Sequence, residues 1–312
     1  MIARRLPAAG LDLLAERFDV VSGELSPARD ELLTRVEGAA AIVADPTVPV
    51  DGELLDAAGP ALRVVANFAV GFDNVDFDAT EARGVVVTNT PDVLTNATAE
   101  LAVTLMLAAT RRVGEAERLV RDRKWTGWDP SALLGRELAG STVGIVGLGR
   151  IGLRVAELLR GFEPALLYTS PSPRPEAEVR LGLERVPLVE LVERSDFVTL
   201  HAPSTPATHH LVDRALLERF KRGAVLVNAA RGSLVDAKAL ATALRDGRLS
   251  AAGLDVFEQE PAVDPELLAL DNVVLLPHVG SATAAARDGM ARLVAENVIA
   301  VLSGKPPLTP VQ

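Results

Sequence analysis

Cysteine is absent from this sequence of 312 residues, so the chain can form no disulfide and offers no thiolate to a metal. The absence is typical of proteins from a reducing cytosol, and we expect a cytoplasmic location. Because no thiol is present, any redox chemistry of this chain requires a bound cofactor.

Long apolar runs are missing as well. The longest, residues 101–109, is interrupted by Thr104 and is far shorter than the roughly 20 residues of a membrane span. Near the start, Asp12 and Glu16 appear before any apolar run as long as that of a signal peptide. We therefore expect neither a secretion signal nor a membrane partner.

The sequence also has no excess of positive charge. The chain has 32 Lys and Arg residues against 42 Asp and Glu residues, which gives a net charge of −10, and no basic stripe is visible. This balance argues against nucleic acid as a partner. An anionic substrate would have to be held by local hydrogen-bond donors.

Short β-rich runs alternate with helical patterns along the chain. Such alternation is typical of parallel βαβ units. The runs are residues 19–22, 40–44, 63–67, 85–88, 142–147, 166–169, 197–201, 224–228, 251–256 and 273–276. Between the fourth and fifth runs we predict one long helix, residues 98–123, and a loop, residues 125–140. An alanine-rich helical pattern, residues 282–302, follows the last run.

A glycine-rich string, Gly-Leu-Gly-Arg-Ile-Gly, stands between a predicted strand and an apolar helical pattern. In this context the first glycine permits a tight turn, the second lets the backbone approach a pyrophosphate, and the third allows close packing of helix and strand. The helix N-terminus then faces the anion. We predict a dinucleotide site that includes Gly147, Gly149, Arg150, Ile151 and Gly152.

These patterns predict an α/β fold with two doubly wound parallel-sheet domains and a cleft between them. A Rossmann-type nucleotide domain, residues 98–280, would be inserted into a discontinuous flavodoxin-like domain. The discontinuous domain would consist of residues 1–97 and of the closing helix, residues 281–312.

The strand after the glycine-rich helix ends without a carboxylate. An acidic residue about twenty positions after the loop would bind the adenosine ribose and repel a 2′-phosphate. This chain instead has Ser170, Ser172 and Arg174, and no carboxylate before Glu176. Hydroxyl groups beside a guanidinium suit a 2′-phosphate, so we predict a preference for NADP(H), with NAD(H) as the alternative. The other interpretation of Arg174 is a solvated loop charge.

Three side chains of complementary chemistry follow: Arg231, Glu260 and His278. A guanidinium can bind a 2-keto acid by two parallel hydrogen bonds, an imidazole can give its carbonyl a proton, and a carboxylate can fix the tautomer of that imidazole. With the phosphate loop, this set predicts a dehydrogenase. The alternatives are a surface salt bridge for Arg231 and a packed or capping role for His278, and Glu258 is a second candidate for the imidazole's partner.

Six strings, in order along nearly the whole chain, resemble the D-isomer-specific 2-hydroxyacid dehydrogenase family, and most closely its glyoxylate/hydroxypyruvate reductase branch. They are residues 67–76, 98–101, 146–152, 228–236, 253–261 and 277–281.

The resemblance implies roles for individual residues. The backbone N–H groups of Val70 and Gly71 would bind the substrate carboxylate, although the pair could also be a plain turn at a strand end. Arg231 would polarise the substrate carbonyl, and Glu260, immediately before the proline at position 261, would be the partner of His278. Substrate contacts would further include Ser281. Cofactor contacts would include Thr98, His201, Ala202, Pro203, Ala229, Arg231, Asp255, His278 and Gly280, where His201 could equally be a packing residue.

The implied reaction is the reduction of glyoxylate, hydroxypyruvate or a related small 2-keto acid to the D-2-hydroxy acid. The resemblance also implies a homodimer, with the long helix and the loop of residues 125–140 as contacts. No metal is implied, and the pair His209 and His210 has no carboxylate nearby in helical spacing.

Two departures from the family pattern stand out. The apolar part of the first strand is short, and Ser131 and Ala132 occupy positions where the reductase branch commonly has an aromatic residue, which leaves room for a larger substrate. D-3-phosphoglycerate, formate or phosphite dehydrogenase activity remains an alternative. An alternative from a different functional class is a protein that senses nicotinamide cofactors and binds a partner.

Overall fold

The computed structural model describes residues 1–23 and 27–311. The chain divides into two compact units. The first unit is discontinuous and comprises residues 1–94 and 281–312, while the second comprises residues 95–280. Within the described ranges, no helix combines the length and the apolar character that crossing a bilayer requires.

All paired strands of both units run parallel to their neighbours. In chain order the strands are β1 (Ala41–Ala44), β2 (Val64–Asn67), β3 (Val86–Thr88), β4 (Thr142–Val146), β5 (Ala165–Thr169), β6 (Leu183–Arg185), β7 (Phe197–Leu200), β8 (Ala224–Asn228), β9 (Leu249–Leu254) and β10 (Val273–Leu275).

Helices occupy most of the connections between these strands. They are α1 (Ala8–Ala15), α2 (Arg29–Arg35), α3 (Gly52–Ala58), α4 (Phe77–Ala82), α5 (Thr95–Thr110), α6 (Val113–Arg121), α7 (Arg150–Leu159), α8 (Pro175–Leu181), α9 (Leu188–Arg194), α10 (Arg214–Arg219), α11 (Ala237–Arg245), α12 (Pro265–Leu268) and α13 (Ala284–Leu302), with short 3₁₀ turns at Arg160–Phe162 and Gly232–Leu234.

The first unit is built on a parallel sheet of order β1-β2-β3. Ile2 adds single bridges to this sheet, one to Val43 of β1 and one to Ser22. From one edge to the other, the neighbours are the segment of Ser22, the segment of Ile2, β1, β2 and β3. Numbered along the chain, this is the flavodoxin-like order 2-1-3-4-5. The prediction of a strand at residues 19–22 was wrong, since only Ser22 pairs.

The closing helix α13 belongs to the first unit and packs against α1 and β2. It begins at Ala284, where the hydroxyl of Thr283 accepts a hydrogen bond from the N–H of Ala286 and so caps the helix. The approach to α1 is close, because a Cβ atom on Gly10 would lie 2.2 Å from the carbonyl oxygen of Ala291. Glycine at position 10 therefore permits the packing of the two helices.

The second unit is built on a seven-stranded sheet of order β10-β9-β8-β7-β4-β5-β6. The strand order reverses between β4 and β7, which is the doubly wound Rossmann arrangement. The predicted α/β class with parallel sheets is confirmed. Ligands of such sheets bind outside the carboxyl ends of the strands, at the point where the order reverses.

Both faces of this sheet are covered by apolar helix surfaces. Successive strand residues point to opposite faces, so Val143 and Ile145 pack in one core with helices α5, α7 and α8. Val198 and Leu200 pack in the other core, with helices α9, α10 and α11. Burial on both faces explains why the strands are almost continuously apolar rather than alternating.

Three sequence-based assignments needed correction. The predicted helix of residues 98–123 is two helices, α5 and α6, because the backbone at Arg112 turns left-handed with φ of 53°. The apolar face that packs α5 against β9 ends near Thr110, and α6 buries none of its residues. Strand β6 was not predicted, since three residues at the sheet edge are too few for a periodic signal. The predicted run of residues 251–256 is shifted and corresponds to β9.

Candidate active site

The carboxyl edge of the seven-stranded sheet carries most of the predicted site residues of the second unit. Each of six strands is followed there by one of them. In sheet order these are His278 after β10, Asp255 after β9, Arg231 after β8, His201 after β7, Gly147 after β4 and Ser170 after β5. Parallel strands end at the same edge, so the fold brings together residues that are far apart in the chain.

The loop after β4 has the geometry that the glycine pattern predicts. Gly147 has φ of +94°, and a Cβ atom there would lie 2.7 Å from the carbonyl of His201 in the loop after β7. A Cβ atom on Gly152 would lie 2.1 Å from the carbonyl oxygen of Gly147. Both positions therefore exclude larger residues, since the clashing atoms belong to the backbone.

The same loop leaves space where an anion would bind. A Cβ atom on Gly149 would meet no described atom within 4 Å, and helix α7 begins at the next residue, Arg150. The first N–H groups of a helix have no partner within it and favour negative charge. The residues present thus fit the pyrophosphate of a dinucleotide, which Gly147, Gly149, Arg150 and Ile151 would hold.

The loop after β5 presents hydroxyl groups and two arginines. Ser170 donates its hydroxyl to the carbonyl oxygen of Ser172 at 2.5 Å, and Arg174 is exposed at the start of α8. Arg185, on the unpredicted strand β6, donates from its guanidinium to the carbonyl oxygens of Ser170 at 2.9 Å and of Pro171 at 3.0 Å. Pairing of β5 with β6 brings this second guanidinium to the loop.

His201 follows β7 and is half-buried. Burial lowers the pKa of its imidazole to about 4, so the ring is neutral at physiological pH. Its Nε2 atom lies 2.9 Å from the hydroxyl of the buried Thr199. The neighbouring predicted cofactor contacts differ in exposure, since Ala202 is half-buried and Pro203 is exposed.

His278 and Glu260, two of the predicted reactive groups, are in direct contact. The Nδ1 atom of His278 lies 2.7 Å from Oε2 of Glu260, and the N–H of Phe257 donates to Oε1 of Glu260 at 3.0 Å. Burial opposes ionisation of Glu260, but these hydrogen bonds and the charge of Arg231 outweigh it and lower the pKa of the carboxyl. An ionised carboxylate accepts a hydrogen bond from Nδ1–H of His278, so the second ring nitrogen, Nε2, would be the one available to a substrate.

Asp255 connects the ends of β9 and β10. Its side chain is 1% exposed, and its two carboxylate oxygens accept the N–H groups of Val279 at 2.8 Å and of Gly280 at 2.7 Å. Its carbonyl oxygen accepts the N–H of His278. Burial raises the pKa of the carboxyl, although the N–H of Val279 opposes this. Asp255 thus fixes the loop that carries His278, and Thr98 donates to the Gly280 carbonyl of that loop at 3.2 Å.

Arg231 lies in the loop after β8. The buried side chain of Asn228 accepts the N–H of Ala230 at 3.0 Å and donates to the carbonyl oxygen of Arg231 at 2.8 Å, which closes the turn before it. Gly232 follows, and a Cβ atom there would lie 1.9 Å from the backbone of Phe257. The loop of Arg231 and the turn of Glu260 are therefore packed backbone against backbone.

The predicted substrate contacts of the first unit lie in the loop after β2. The amide of buried Asn67 donates to the carbonyl oxygen of Gly71, and the amide of Asn89 donates to that of Val70, both at 2.8 Å. Within residues 1–23 and 27–311, neither Val70 nor Gly71 donates its own N–H to another group. Both carbonyls are thus held by asparagines while both N–H groups stay available. Ser281 is half-buried at the start of the returning segment.

Sequence reasoning missed three contacts in this region, although it had named Glu258 as a candidate partner of His278. Asn228 shapes the Arg231 loop, Arg185 reaches the Ser170 loop, and Glu258 lies 2.9 Å from Nε2 of His210. Asn228 stands inside one of the resembling strings and could have been identified there. The other two contacts join segments that no local pattern connects.

Comparison with known proteins places the chain in a family. A model of the NAD binding domain of D-isomer specific 2-hydroxyacid dehydrogenases matches residues 103–280. A glyoxylate reductase of Thermococcus onnurineus is 47% identical over 315 residues, which cover 99% of this chain and 94% of that protein. A glyoxylate reductase of Thermococcus gammatolerans is 48% identical, with coverage of 99% and 94%.

A solved structure of a related protein is similar to this chain over nearly its whole length. An NADPH-dependent glyoxylate/hydroxypyruvate reductase from Sinorhizobium meliloti, in complex with NADP and malonate, has a TM-score of 0.87 and 39% identity. The match covers 99% of this chain and 95% of that one. The resemblance found in the sequence is confirmed, and so is a nicotinamide dinucleotide as the class of cofactor. The chain belongs to the D-isomer-specific 2-hydroxyacid dehydrogenase family.

Proposed function

We propose that this chain reduces glyoxylate or hydroxypyruvate to the corresponding 2-hydroxy acid, with NADPH as the preferred reductant. The observation that carries the proposal is the 2.7 Å contact between His278 and Glu260, at the sheet edge that also holds the phosphate loop and Arg231. The glyoxylate reductases among its relatives support the choice of substrate.

A bound nicotinamide would supply the hydride that reduces C2 of the keto acid. Arg231 would donate hydrogen bonds to the carbonyl oxygen and stabilise the negative charge that develops there. His278 would give that oxygen its proton from Nε2, while Glu260 holds Nδ1 and stabilises the protonated imidazole. Asp255 would keep the backbone of the His278 loop in place.

We further propose that the N–H groups of Val70 and Gly71 bind the substrate carboxylate. The support is local to the first unit, since the asparagine side chains occupy the carbonyl oxygens and not the N–H groups of this loop. Successive backbone N–H groups can bind an anion without a charged side chain. That mode of binding suits a chain with a net charge of −10.

The test of this function is NADPH oxidation measured with glyoxylate, hydroxypyruvate, pyruvate and 3-phosphohydroxypyruvate side by side. We expect the highest kcat/KM with glyoxylate or hydroxypyruvate. A maximum with 3-phosphohydroxypyruvate, or turnover only of formate or phosphite with NADP⁺, would replace the proposed substrate. The absence of turnover on every acid, together with ligand-dependent binding of a partner protein, would favour a nicotinamide-sensing protein instead.

The preference for NADPH over NADH is supported by the loop after β5. Between the end of β5 and Glu176 the chain has no carboxylate, Arg174 is exposed two positions after Ser172, and the Arg185 guanidinium reaches the carbonyl oxygen of Ser170. Both arginines can pair with a 2′-phosphate, which NADH lacks. The relative from Sinorhizobium meliloti is itself described as NADPH-dependent.

Substitution of Arg174 or Arg185 by alanine should therefore lower kcat/KM for NADPH about 10–100-fold, the cost of about 1.5–3 kcal/mol for a lost charge-assisted hydrogen bond. The value for NADH should change little. Arg180→Ala is the matched control, because Arg180 lies on α8 but pairs with Glu157 at 2.7 Å. A parental kcat/KM that is higher with NADH would overturn the NADP(H) preference.

We propose a homodimer whose contacts include α6 and the loop of residues 125–140. No residue of α6 is buried, and the segment leaves large apolar side chains exposed, including Val120, Trp125 and, at 84%, Trp128. Exposed apolar clusters of this kind often mark protein interfaces. Sedimentation equilibrium should give twice the 32.9 kDa chain mass, and a monomer at micromolar concentration would contradict the proposal. The cytoplasmic location stays a prediction.

A further inference from the structure

An exposed cluster of two histidines and a glutamate lies beside the candidate active site, in the second unit. His209 and His210 lie in the loop between β7 and α10, and Glu258 belongs to the turn that carries Glu260. The Nε2 atoms of His209 and His210 lie 3.3 Å and 2.9 Å from the same oxygen, Oε1 of Glu258. The proposed reduction uses none of these three side chains.

The backbone arranges the two imidazoles for a common target. Neighbouring side chains in an extended segment point to opposite sides, but His210 has φ of 48°, a left-handed conformation that is uncommon outside glycine and in which asparagine, aspartate and histidine are enriched. As a result the two rings stack at 4.0 Å with 27° between their planes. Both nitrogens therefore reach one carboxylate oxygen.

The cluster is held by backbone bonds on both sides. The N–H of His209 donates to the carbonyl oxygen of Thr205 at 3.0 Å, and that of His210 donates to the carbonyl oxygen of Ser233 at 2.8 Å. On the other side, the backbone at Glu258 packs against Gly232. The three donor groups are thus positioned before any ligand binds, which lowers the entropy cost of binding.

The spacing of the donor atoms fits a transition-metal ion. Two ligands bound to one Zn²⁺ at about 2.0–2.1 Å in a tetrahedral arrangement lie about 3.3 Å apart. The two nitrogen–oxygen distances are close to that value, and all three ligand atoms lie within 4.8 Å of one another. The side chains are 55%, 35% and 34% exposed, so the imidazoles can adjust and an ion can enter.

We propose that His209, His210 and Glu258 form a binding site for a divalent transition metal, with Zn²⁺ as the representative ion. Two imidazoles and one carboxylate favour zinc, copper or nickel over magnesium or calcium, which prefer oxygen ligands alone. Three protein ligands leave a fourth position for water. The ion would join the loop after β7 to the turn that carries Glu260, and this inference does not depend on the proposed reaction.

The test is a titration of the purified full-length chain, freed of metal with a chelator, with Zn²⁺ in competition with a chromophoric chelator. We expect one tight site per chain. His209→Gln, His210→Gln and Glu258→Gln should each lower the affinity for Zn²⁺ at least tenfold. The loss of a residue that only orients a metal ligand already lowers metal affinity about 10–100-fold, and here the ligand itself is removed. Zn²⁺ should raise the Tm of the parent and not of these variants.

Two control variants identify the site that is measured. His278→Gln removes another exposed histidine–carboxylate pair, and Glu266→Gln removes an exposed carboxylate that pairs with Arg245. Both should bind Zn²⁺ like the parent. Loss of binding in His278→Gln, unchanged affinity in all three cluster variants, or no Zn²⁺ bound below millimolar concentration would each overturn the proposal. Circular dichroism checks that every variant is folded.

Discussion

Replacement of His278 by alanine should lower kcat by about 10²–10⁴-fold, the usual cost of removing a general acid. In the proposed reaction this imidazole supplies the proton that neutralises the oxygen of the reduced carbonyl. The cofactor should still bind, because the phosphate loop after β4 is formed without His278. Single-turnover kinetics with glyoxylate and quenching of protein fluorescence by NADPH measure the two effects separately.

The partner of the imidazole gives a second measure of the same role. Glu260→Gln keeps the shape of the side chain but loses the negative charge that stabilises a protonated imidazole, so its loss of kcat should be smaller than that of His278→Ala. The double variant should lose little more than His278→Ala alone, because groups that act as a unit are not additive. Turnover near the parental value in His278→Ala would refute the assignment.

The parts of the fold that the sequence predicted are those with a local signal. Strands such as β7 and β8 are buried on both faces and read as apolar runs between turn residues. The phosphate loop is defined by close backbone approaches at Gly147 and Gly152, which only glycine permits, so its pattern is visible within six positions. The strand ends that carry Arg231 and His278 also have a local signal, because each of these residues follows an apolar run.

The parts that sequence reasoning missed depend on contacts between distant segments. Glu258 and His210 are 48 positions apart, and Arg185 reaches Ser170 only because β6 pairs with β5. Helix α5 ends where its packing surface on β9 ends, although the helical pattern itself continues into α6. The choice between Glu258 and Glu260 as the partner of His278 required family likeness, since their spacing alone favours neither. In the structure, the two carboxylates bind different histidines.

Substitution of Arg231 by lysine should lower kcat by about 10²–10³-fold although the positive charge is kept. The guanidinium is planar and can donate two parallel hydrogen bonds to substrate oxygens, whereas an ammonium group is a compact point charge with no such fork. The loss of one preorganised donor to a developing oxyanion costs about 10²–10³-fold in kcat. We also expect a higher KM for the keto acid and an unchanged affinity for NADPH.

A matched surface variant separates this effect from a general sensitivity to arginine replacement. Arg245→Lys keeps an exposed ion pair with Glu266 that tolerates an ammonium group, so its kinetics should equal those of the parent. Arg231 also contributes to the low pKa of Glu260, and lysine keeps that charge, so a loss in Arg231→Lys reports on the fork rather than on the Glu260 carboxylate. If Arg231→Lys and Arg245→Lys turned over glyoxylate equally fast, the bidentate role of Arg231 would be excluded, and its loop would serve only to support the turn of Glu260.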